Sequence, residues 1–376
     1  MKPQRVYAQV DLEAICRNVR QSMARLPEDV KVMAVVKTDA YGHGAVSVSQ
    51  ALSGIGVYAF AVATVSEAVE LRTSGIDKPI LVLGHVFQDE LRRALTHDVS
   101  LTVFSYENAR TISEMAVEEG VTAKLHIAVD TGMGRIGFQP TEDSIEQIRA
   151  ISRLENVEIE GIFTHFACAD EADKTSMNNQ IKIFEDFVLK VQDAGVSIKI
   201  RHMCNSAAVM DRPEGSEWLD MVRLGITIYG LLPSNEVKKE NLDLRPAMSI
   251  VSHISHVKEV EEGFTVSYGS TYTTTGHTVI ATVPVGYGDG YPRQLTGKGK
   301  VLVNGQFAPI IGRVCMDQCM VDVTGIDNVE QGTEVVLVGR QGDKEITVEE
   351  LGELSGRFNY EFVCDINKRV PRIYKY

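Results

Sequence analysis

Basic charge is scarce in this sequence: lysine and arginine number 38 against 51 aspartates and glutamates, a formal net charge of −13. A nucleic-acid binder needs a basic face to neutralise phosphates, and an anionic lipid surface repels an acidic chain, so neither is an expected partner. Long apolar runs are missing too. No stretch reaches the roughly 20 residues of a membrane span, and the amino-terminal segment carries polar and acidic groups throughout, unlike a signal peptide. Cysteine is sparse. The six (Cys16, Cys168, Cys204, Cys315, Cys319 and Cys364) are scattered and sit mostly in apolar segments. That is the usage of packed, reduced thiols in a cytoplasmic protein rather than of a disulfide framework. Cys315 and Cys319 form the one close pair, and no nearby histidine completes a zinc set, so no metal site is expected. Low-complexity tracts and solenoid repeats are absent as well.

What is present is ordinary globular composition, with 44% hydrophobic and 24% charged residues in a chain of 376, long enough for more than one domain. A short strand is read at Val6–Val10, with Asp11 capping a helix that runs toward Pro27. Apolar, β-branched runs then recur at Val32–Val36, Tyr58–Ala63, Ile80–Leu83, Leu101–Phe104, Leu125–Val129, Ile159–Phe163, Ile198–Met203 and Met221–Val222. Segments of helical composition lie between most of them, among them Ser66–Ser74, Tyr106–Glu119, Thr141–Ile151 and Asn179–Ala194. Strands alternating with helices make a parallel α/β sheet. Eight strands favour a closed (β/α)8 barrel of the TIM type over a doubly wound open sheet.

The pattern changes after Tyr229. Pro233, the charged run Val237-Lys238-Lys239-Glu240 and Pro246 read as a connector. Beyond Met248 the chain alternates in strand fashion, and Asn304-Gly305 between two apolar runs is a hairpin signal. The expected organisation is a barrel domain over residues 1–240 and a mostly β domain over 241–376.

In such a barrel chemistry gathers at the carboxyl ends of the strands. Lys37 follows the first barrel strand, and Asp130-Thr131-Gly132-Met133-Gly134-Arg135 follows the fifth. Thr164-His165-Phe166 follows the sixth, Asn205-Ser206 the seventh, and Arg223-Leu224-Gly225-Ile226 the eighth. A lysine beside an apolar wall is a usable nucleophile when desolvated. Hydroxyls, glycine-flanked amides, two arginines and a histidine suit an anionic ligand, and Ser206 with Gly225-Ile226 can present donors to a phosphate. An aldehyde-bearing phosphate that forms an imine with a lysine is pyridoxal phosphate. Gly132-Met133-Gly134-Arg135-Ile136-Gly137 also fits the dinucleotide pattern G-x-G-x-x-G. That motif requires a helix beginning within the glycines, whereas Phe138-Gln139-Pro140 intervenes here and Thr141 reads as the helix cap.

With these residues collected, the chain resembles the alanine racemases, barrel-type (fold type III) pyridoxal phosphate enzymes. The resemblance spans nearly the whole sequence. It is carried by Ala34-Val35-Val36-Lys37 with Ala40-Tyr41-Gly42-His43-Gly44, by residues 130–137, by Thr164-His165-Phe166-Ala167 and Asn205-Ser206-Ala207-Ala208, and by Arg223-Leu224-Gly225-Ile226 with Tyr229-Gly230. In the second domain Val266-Ser267-Tyr268-Gly269, Gly286-Tyr287, Asp289-Gly290-Tyr291, Gly312-Arg313-Val314-Cys315-Met316-Asp317, Asn359-Tyr360-Glu361 and Arg369-Val370-Pro371-Arg372 continue it.

The resemblance implies pyridoxal 5'-phosphate as cofactor, alanine as substrate and a homodimer with shared active sites. Lys37 would hold the cofactor as an imine and serve as base for the D-enantiomer, with Tyr268 from the other subunit as base for the L-enantiomer. A phenol is a poor base at neutral pH, and the family pairs this tyrosine with a histidine matching His165. Arg223 would face the pyridine nitrogen. Arg135 would contact the cofactor oxygen and the substrate carboxylate, to which Met316 would offer its backbone amide. Tyr41, Ser206, Gly225, Ile226 and Tyr360 would ring the phosphate, and Tyr287, Arg293, Arg313 and Asp317 would line the approach. One departure stands out: many relatives carry a lysine that becomes a carbamate two residues before Asp130, and this chain has Ala128, so another anion is expected to hold Arg135. Asp39 also stands where asparagine is common. The product would supply D-alanine for peptidoglycan. Alternatives are a serine or broad-specificity racemase, against which Tyr360 weighs, and a non-catalytic pyridoxal-phosphate-binding barrel.

Overall fold

The computed structural model describes residues 4–211 and 218–376. They divide into two compact units, Ala14–Ala40 with Ala45–Pro246, and Met1–Glu13 with Tyr41–Gly44 and Ala247–Tyr376. The first strand, β1 (Val6–Asp11), belongs to the second of these, which departs from the expected boundary at residue 240. The physical reason lies in its pattern. Its burial alternates toward the carboxyl end, as in a sheet with one wetter face, whereas barrel strands are buried on both faces.

The larger unit is a closed parallel barrel of eight strands in sequential order. These are β2 (Lys31–Val35), β3 (Ala59–Val62), β4 (Ile80–Val82), β5 (Ser100–Val103), β6 (Ala123–Ala128), β7 (Val157–Phe163), β8 (Ile200–His202) and β9 (Met221–Leu224). Closure comes from β9 pairing with β2, with Arg223 opposite Met33. β3, β4, β5 and β9 are buried at every residue, which is why β3 and β4 read as unbroken apolar runs and why the polar residues of β5 and β9 need partners inside the barrel.

Between strands the helices begin on caps that the sequence signals. Ser105 accepts the amide of Asn108 to start Tyr106–Glu119, whose buried Ala109, Ile112, Ser113 and Ala116 fall at the 3–4 spacing of one face, and Gly120 ends it in the left-handed conformation. Thr141 caps Glu142–Ile151 in the same way. The long helix Thr175–Asp193 begins four residues before the predicted start at Asn179, and the helices Ala45–Ser53 and Gln88–Thr96 were not resolved by composition alone. No helix among the described residues is long and apolar enough to cross a membrane.

The smaller unit is built on one sheet that also incorporates β1. Its strands are β10 (Met248–His253), β11 (His256–Val260), β14 (Thr278–Val283), β15 (Lys300–Val303), β16 (Gln306–Ile311), β17 (Cys319–Asp322), β18 (Glu334–Gln341), β19 (Lys344–Ile346) and β20 (Arg372–Lys375), while β12 (Thr265–Val266) and β13 (Tyr272–Thr273) form a separate pair. β1 lies between β10, to which it is antiparallel, and β20, to which it is parallel. The Asn304-Gly305 signal is a hairpin between β15 and β16, with φ of 48° and 73° at the two turn residues, the signs a two-residue primed turn requires.

Candidate active site

At the exit of β2 the backbone does something no residue there favours. Thr38, Asp39 and Ala40 all have φ and ψ between 48° and 54°, and Tyr41 follows with φ 52°. This is a left-handed turn made without glycine, beginning one residue after Lys37, and such residues cost about 1–2 kcal/mol each. Side chains hold it in place. Glu67 Oε1 accepts the Thr38 amide at 2.6 Å, and its Oε2 accepts Ala63 and Thr64 at 2.8 and 3.2 Å. Asp39 Oδ1 accepts the amide of Ala45 at 2.8 Å, which gives the unusual aspartate a job at the start of the next helix. Glu67 was missed in the sequence, although Thr64-x-x-Glu67 is a capping box.

His165, Arg135, Arg223 and Lys37 come together at the carboxyl end of the barrel. Burial first, then the charges of Arg223, Arg135 and Lys37, bring His165 down to about 3. Its ring is neutral at any ordinary pH. Arg223 lies inside β9 rather than after it and is only 3% exposed. Its Nη2 donates to Thr164 O at 2.7 Å, Met203 O at 3.1 Å and His165 Nδ1 at 3.3 Å, and its Nη1 to His202 Nδ1 at 2.9 Å and His202 O at 3.0 Å. Among the described residues all these acceptors are neutral. Burial lowers Arg223 to about 10, so the guanidinium stays protonated.

The loops carrying Arg135 and His165 are tied by a buried amide that sequence reading overlooked. Gln180 donates from Nε2 to Thr131 Oγ1 and His165 O, each at 3.0 Å, and accepts the Ala167 amide at 2.9 Å. The signal was a glutamine in the apolar stripe Met177, Ile181, Phe184 of its helix. Asp130 shapes the glycine loop itself. Against the effect of burial, the amides of Gly134 and Gly132 hold its carboxyl below the usual carboxylate range, at 2.9 and 3.1 Å. Those amides are therefore committed to Asp130, and the helix starts only after Thr141, so the dinucleotide pattern has no anion site. Ala128 is buried at the end of β6, while Arg135 is exposed.

A second cluster unites the last two βα loops. Ser206 opens the short helix Ser206–Asp211, and its Oγ accepts the Gly225 amide at 2.8 Å and Thr227 Oγ1 at 2.9 Å. With these acceptor positions engaged, the Ser206 hydroxyl keeps its own proton to donate. Ile226 follows in the turn Ile226–Tyr229 and is buried.

The smaller unit carries the other predicted residues. Buried Tyr41 meets Tyr360 with ring centroids 5.9 Å apart, and Tyr360 stacks on Phe358 at 4.6 Å. Gly42 and Gly44, at φ 79° and 94°, let the chain pass where a Cβ would lie 2.2 Å from Val363 O and 1.9 Å from the Tyr374 hydroxyl. Tyr268 sits in a tight turn, Tyr268–Ser270, and is 71% exposed. Ser267 donates to Arg313 O at 2.8 Å, joining that turn to the 312–317 loop. Tyr287 and Gly288 donate backbone amides to Cys315 O and Met316 O at 3.1 and 2.8 Å. Arg293 is linked to the same loop through Thr296, which donates to Arg293 O at 2.6 Å and accepts Val314 N at 3.2 Å. Asp317 accepts Arg369 Nη2 at 2.7 Å, and Arg369 Nε reaches the buried Asp289 at 2.8 Å. Thus Tyr268, Tyr287, Arg293, Arg313, Met316 and Asp317 lie on interlocked loops.

Known proteins share this fold. The family described as alanine racemase, N-terminal domain, matches residues 10–233, and that described as alanine racemase, C-terminal domain, matches residues 247–374. The alanine racemase of Clostridium tetani is 48% identical over 370 residues, covering 98% of this chain and 95% of the relative. The solved alanine racemase of Clostridium difficile 630 is 42% identical with a TM-score of 0.94, covering 99% of this chain and 96% of that one; it has also been solved in complex with cycloserine. A histidine racemase from Leuconostoc mesenteroides subsp. sake is 30% identical with a TM-score of 0.91, covering 99% of this chain and 98% of its own. With both halves matched and relatives this close over nearly every residue, the chain belongs to the alanine racemase family.

Proposed function

We propose that this chain is a pyridoxal-phosphate-dependent alanine racemase, interconverting L- and D-alanine as a homodimer with shared active sites. The observation that carries the reading is a lysine at a strand exit that acts on His165 together with a buried guanidinium, whose hydrogen-bond acceptors among the described residues are all neutral. The cofactor needs an amine, a set of phosphate donors and a residue at its ring nitrogen. The donor chemistry fits: Lys37 would be the amine, Ser206, Ile226, Tyr41 and Tyr360 would serve the phosphate, with the Gly225 amide holding Ser206 in place, and Arg223 would face the ring nitrogen. A carboxylate there would favour a proton on that nitrogen, and a permanent cation disfavours it. When bound, the cofactor supplies an electron-withdrawing ring that acidifies the α-proton of an attached amino acid.

The chain's own side chains do the rest. Racemisation needs proton carriers on opposite faces, because a proton taken from one side must return on the other. Lys37 Nζ works one face and the Oη of Tyr268 of the partner subunit the other. Arg223 donates to His165 Nδ1, which places the His165 proton on Nε2. Arg135 and the Met316 amide hold the substrate carboxylate, and Tyr287, Arg293, Arg313 and Asp317 line the approach. Exposure of Tyr268 at 71% and Met316 at 53% supports their serving a partner's site. Six free cysteines support a cytoplasmic setting, where D-alanine would feed peptidoglycan. A wider substrate range is the second reading, favoured by the relative named a histidine racemase.

Complementation tests both the bases and the dimer. Lys37→Ala and Tyr268→Phe are each expected to be inactive. Mixed and re-associated, they form heterodimers with one wholly native site, restoring about a quarter of parental alanine racemisation by two-fold symmetry. No recovery in verified heterodimers would refute the shared site. Parallel assays with serine and histidine decide the substrate range.

A further inference from the structure

The acceptors of Arg223 lead on through the barrel to a charge at its other end. Beyond His202 Nδ1, the His202 Nε2 lies 2.9 Å from His126 Nδ1, and His126 Nε2 lies 3.0 Å from Glu160 Oε2. Ser100 Oγ donates to the same carboxylate oxygen at 3.0 Å. Both imidazoles are buried, His202 completely. Ala59, Ile80, Ser100, Ile200 and Met221, the first residues of β3, β4, β5, β8 and β9, line a cavity with His126 and Glu160. Glu160 therefore sits at the amino-terminal mouth, across the core from Arg223.

The line has only one consistent proton arrangement. A guanidinium has donors and no acceptor, so His202 Nδ1 must accept. A neutral His202 then carries its proton on Nε2 and donates to His126 Nδ1. His126 in turn carries its proton on Nε2 and donates to the carboxylate. Every N–H points away from Arg223 and toward Glu160.

Two features of the backbone make room for the line. The β6–β7 register shifts between Leu125, opposite Ile159, and His126, opposite Gly161, so Glu160 is the extra residue of a bulge, a device that re-aims a side chain. At Gly161 a Cβ would lie 2.4 Å from His126 Nδ1, so β7 is bare where the imidazole passes.

We propose that Glu160 and His126 are positioning residues for Arg223, supplying through His202 the counter-charge that the guanidinium lacks in its own surroundings. This rests on the function proposed above only in the last link, from Arg223 to the cofactor. Aligned hydrogen bonds polarise one another, and a remote carboxylate behind a histidine fixes its tautomer and raises its basicity. Arg223 is thereby held in place for the ring nitrogen and for His165.

Two measurements test this. In cofactor-free native protein with 15N-labelled histidine, His126 and His202 should both be neutral with the proton on Nε2; a proton on Nδ1 of either ring overturns the proposal, whatever the enzyme's activity. In loaded enzyme, Glu160→Gln should lower kcat/KM for alanine roughly tenfold, shift the absorbance of the bound cofactor, and be partly rescued by Glu160→Asp. Glu158→Gln, on the same strand but paired with exposed Lys199, should change nothing. In an Arg223→Lys background the Glu160→Gln effect should shrink below about twofold, since coupled residues are not additive. An equal loss in both backgrounds would mean that Glu160 does not act through Arg223. Absence of racemisation in the parent protein would refute the proposed function and leave the histidine spectra to judge the relay.

Discussion

Glu67→Gln probes the left-handed turn that delivers Lys37. The four residues Thr38–Tyr41 together disfavour the native backbone by about 4–8 kcal/mol, so the turn persists only because its surroundings insist on it. Glu67 meets three backbone amides with two oxygens, the Thr38 contact being the shortest at 2.6 Å. Glutamine keeps the shape but replaces one oxygen with an NH2, which sets donor against donor on one side. Losing a charged acceptor costs about 1.5–3 kcal/mol, and weakening the capping box brings the expected loss to about 2–3 kcal/mol. For a unit of this size that is roughly 4–12 °C in melting temperature. Circular dichroism on cofactor-free protein reads the stability, and cofactor absorbance reads whether Lys37 still captures its partner. Racemisation should fall further than the unfolded fraction explains, because the misplaced group is the lysine proposed to react. Glu70→Gln, exposed on the same helix, serves as control. If Glu67→Gln melts within a degree of the parent and loads cofactor normally, the turn does not depend on Glu67 and the reasoning fails.

Further outcomes are expected elsewhere. Lys37→Ala should lose both racemisation and the cofactor's imine absorbance, whereas Tyr268→Phe should lose racemisation and keep the absorbance; spectra of the two purified variants distinguish them. Gly44→Ala should destabilise by about 2–4 kcal/mol, from positive φ and the clash with Tyr374, and Tyr374→Phe in the same chain should recover part of it by removing the hydroxyl 1.9 Å from the new Cβ. His165, brought down to about 3, and His202, lowered well below its ordinary value by burial, both make folding pH-dependent. As pH falls through about 6.5 the unfolded chain takes up these protons and the folded chain does not, so stability drops by up to about 1.4 kcal/mol per pH unit for each ring until the folded pKa is reached. Urea unfolding between pH 7 and 4 measures the slope, and an unchanged midpoint would contradict the assigned burial.

The barrel was legible because its strands are largely buried on both faces, so apolar runs dominate them and recur between helical segments. The strand-end rule then pointed to Lys37, Arg135, His165 and Ser206 without knowledge of the fold's relatives. β1 was harder, because its partners β10 and β20 lie more than 200 residues away, and no local pattern encodes pairing at that range. The left-handed turn was invisible for a different reason: Thr38, Asp39, Ala40 and Tyr41 lack the glycine that announces positive φ, and a distant glutamate imposes it. Gln180, His126 and Glu160 show a third limit. Polar residues wholly or half buried look like errors in an apolar pattern until their partners, on other strands and helices, are known. Arg223 was found but displaced, since an arginine reads as the end of a strand when it is in fact inside one.

Alanine incubated in deuterated water with purified, cofactor-loaded protein gives the most direct test. Starting from L-alanine, the account predicts D-alanine carrying an α-deuteron, with chirality and isotope content followed by chiral chromatography and mass spectrometry. Release of carbon dioxide, or recovery of L-alanine with its α-proton intact, would contradict it.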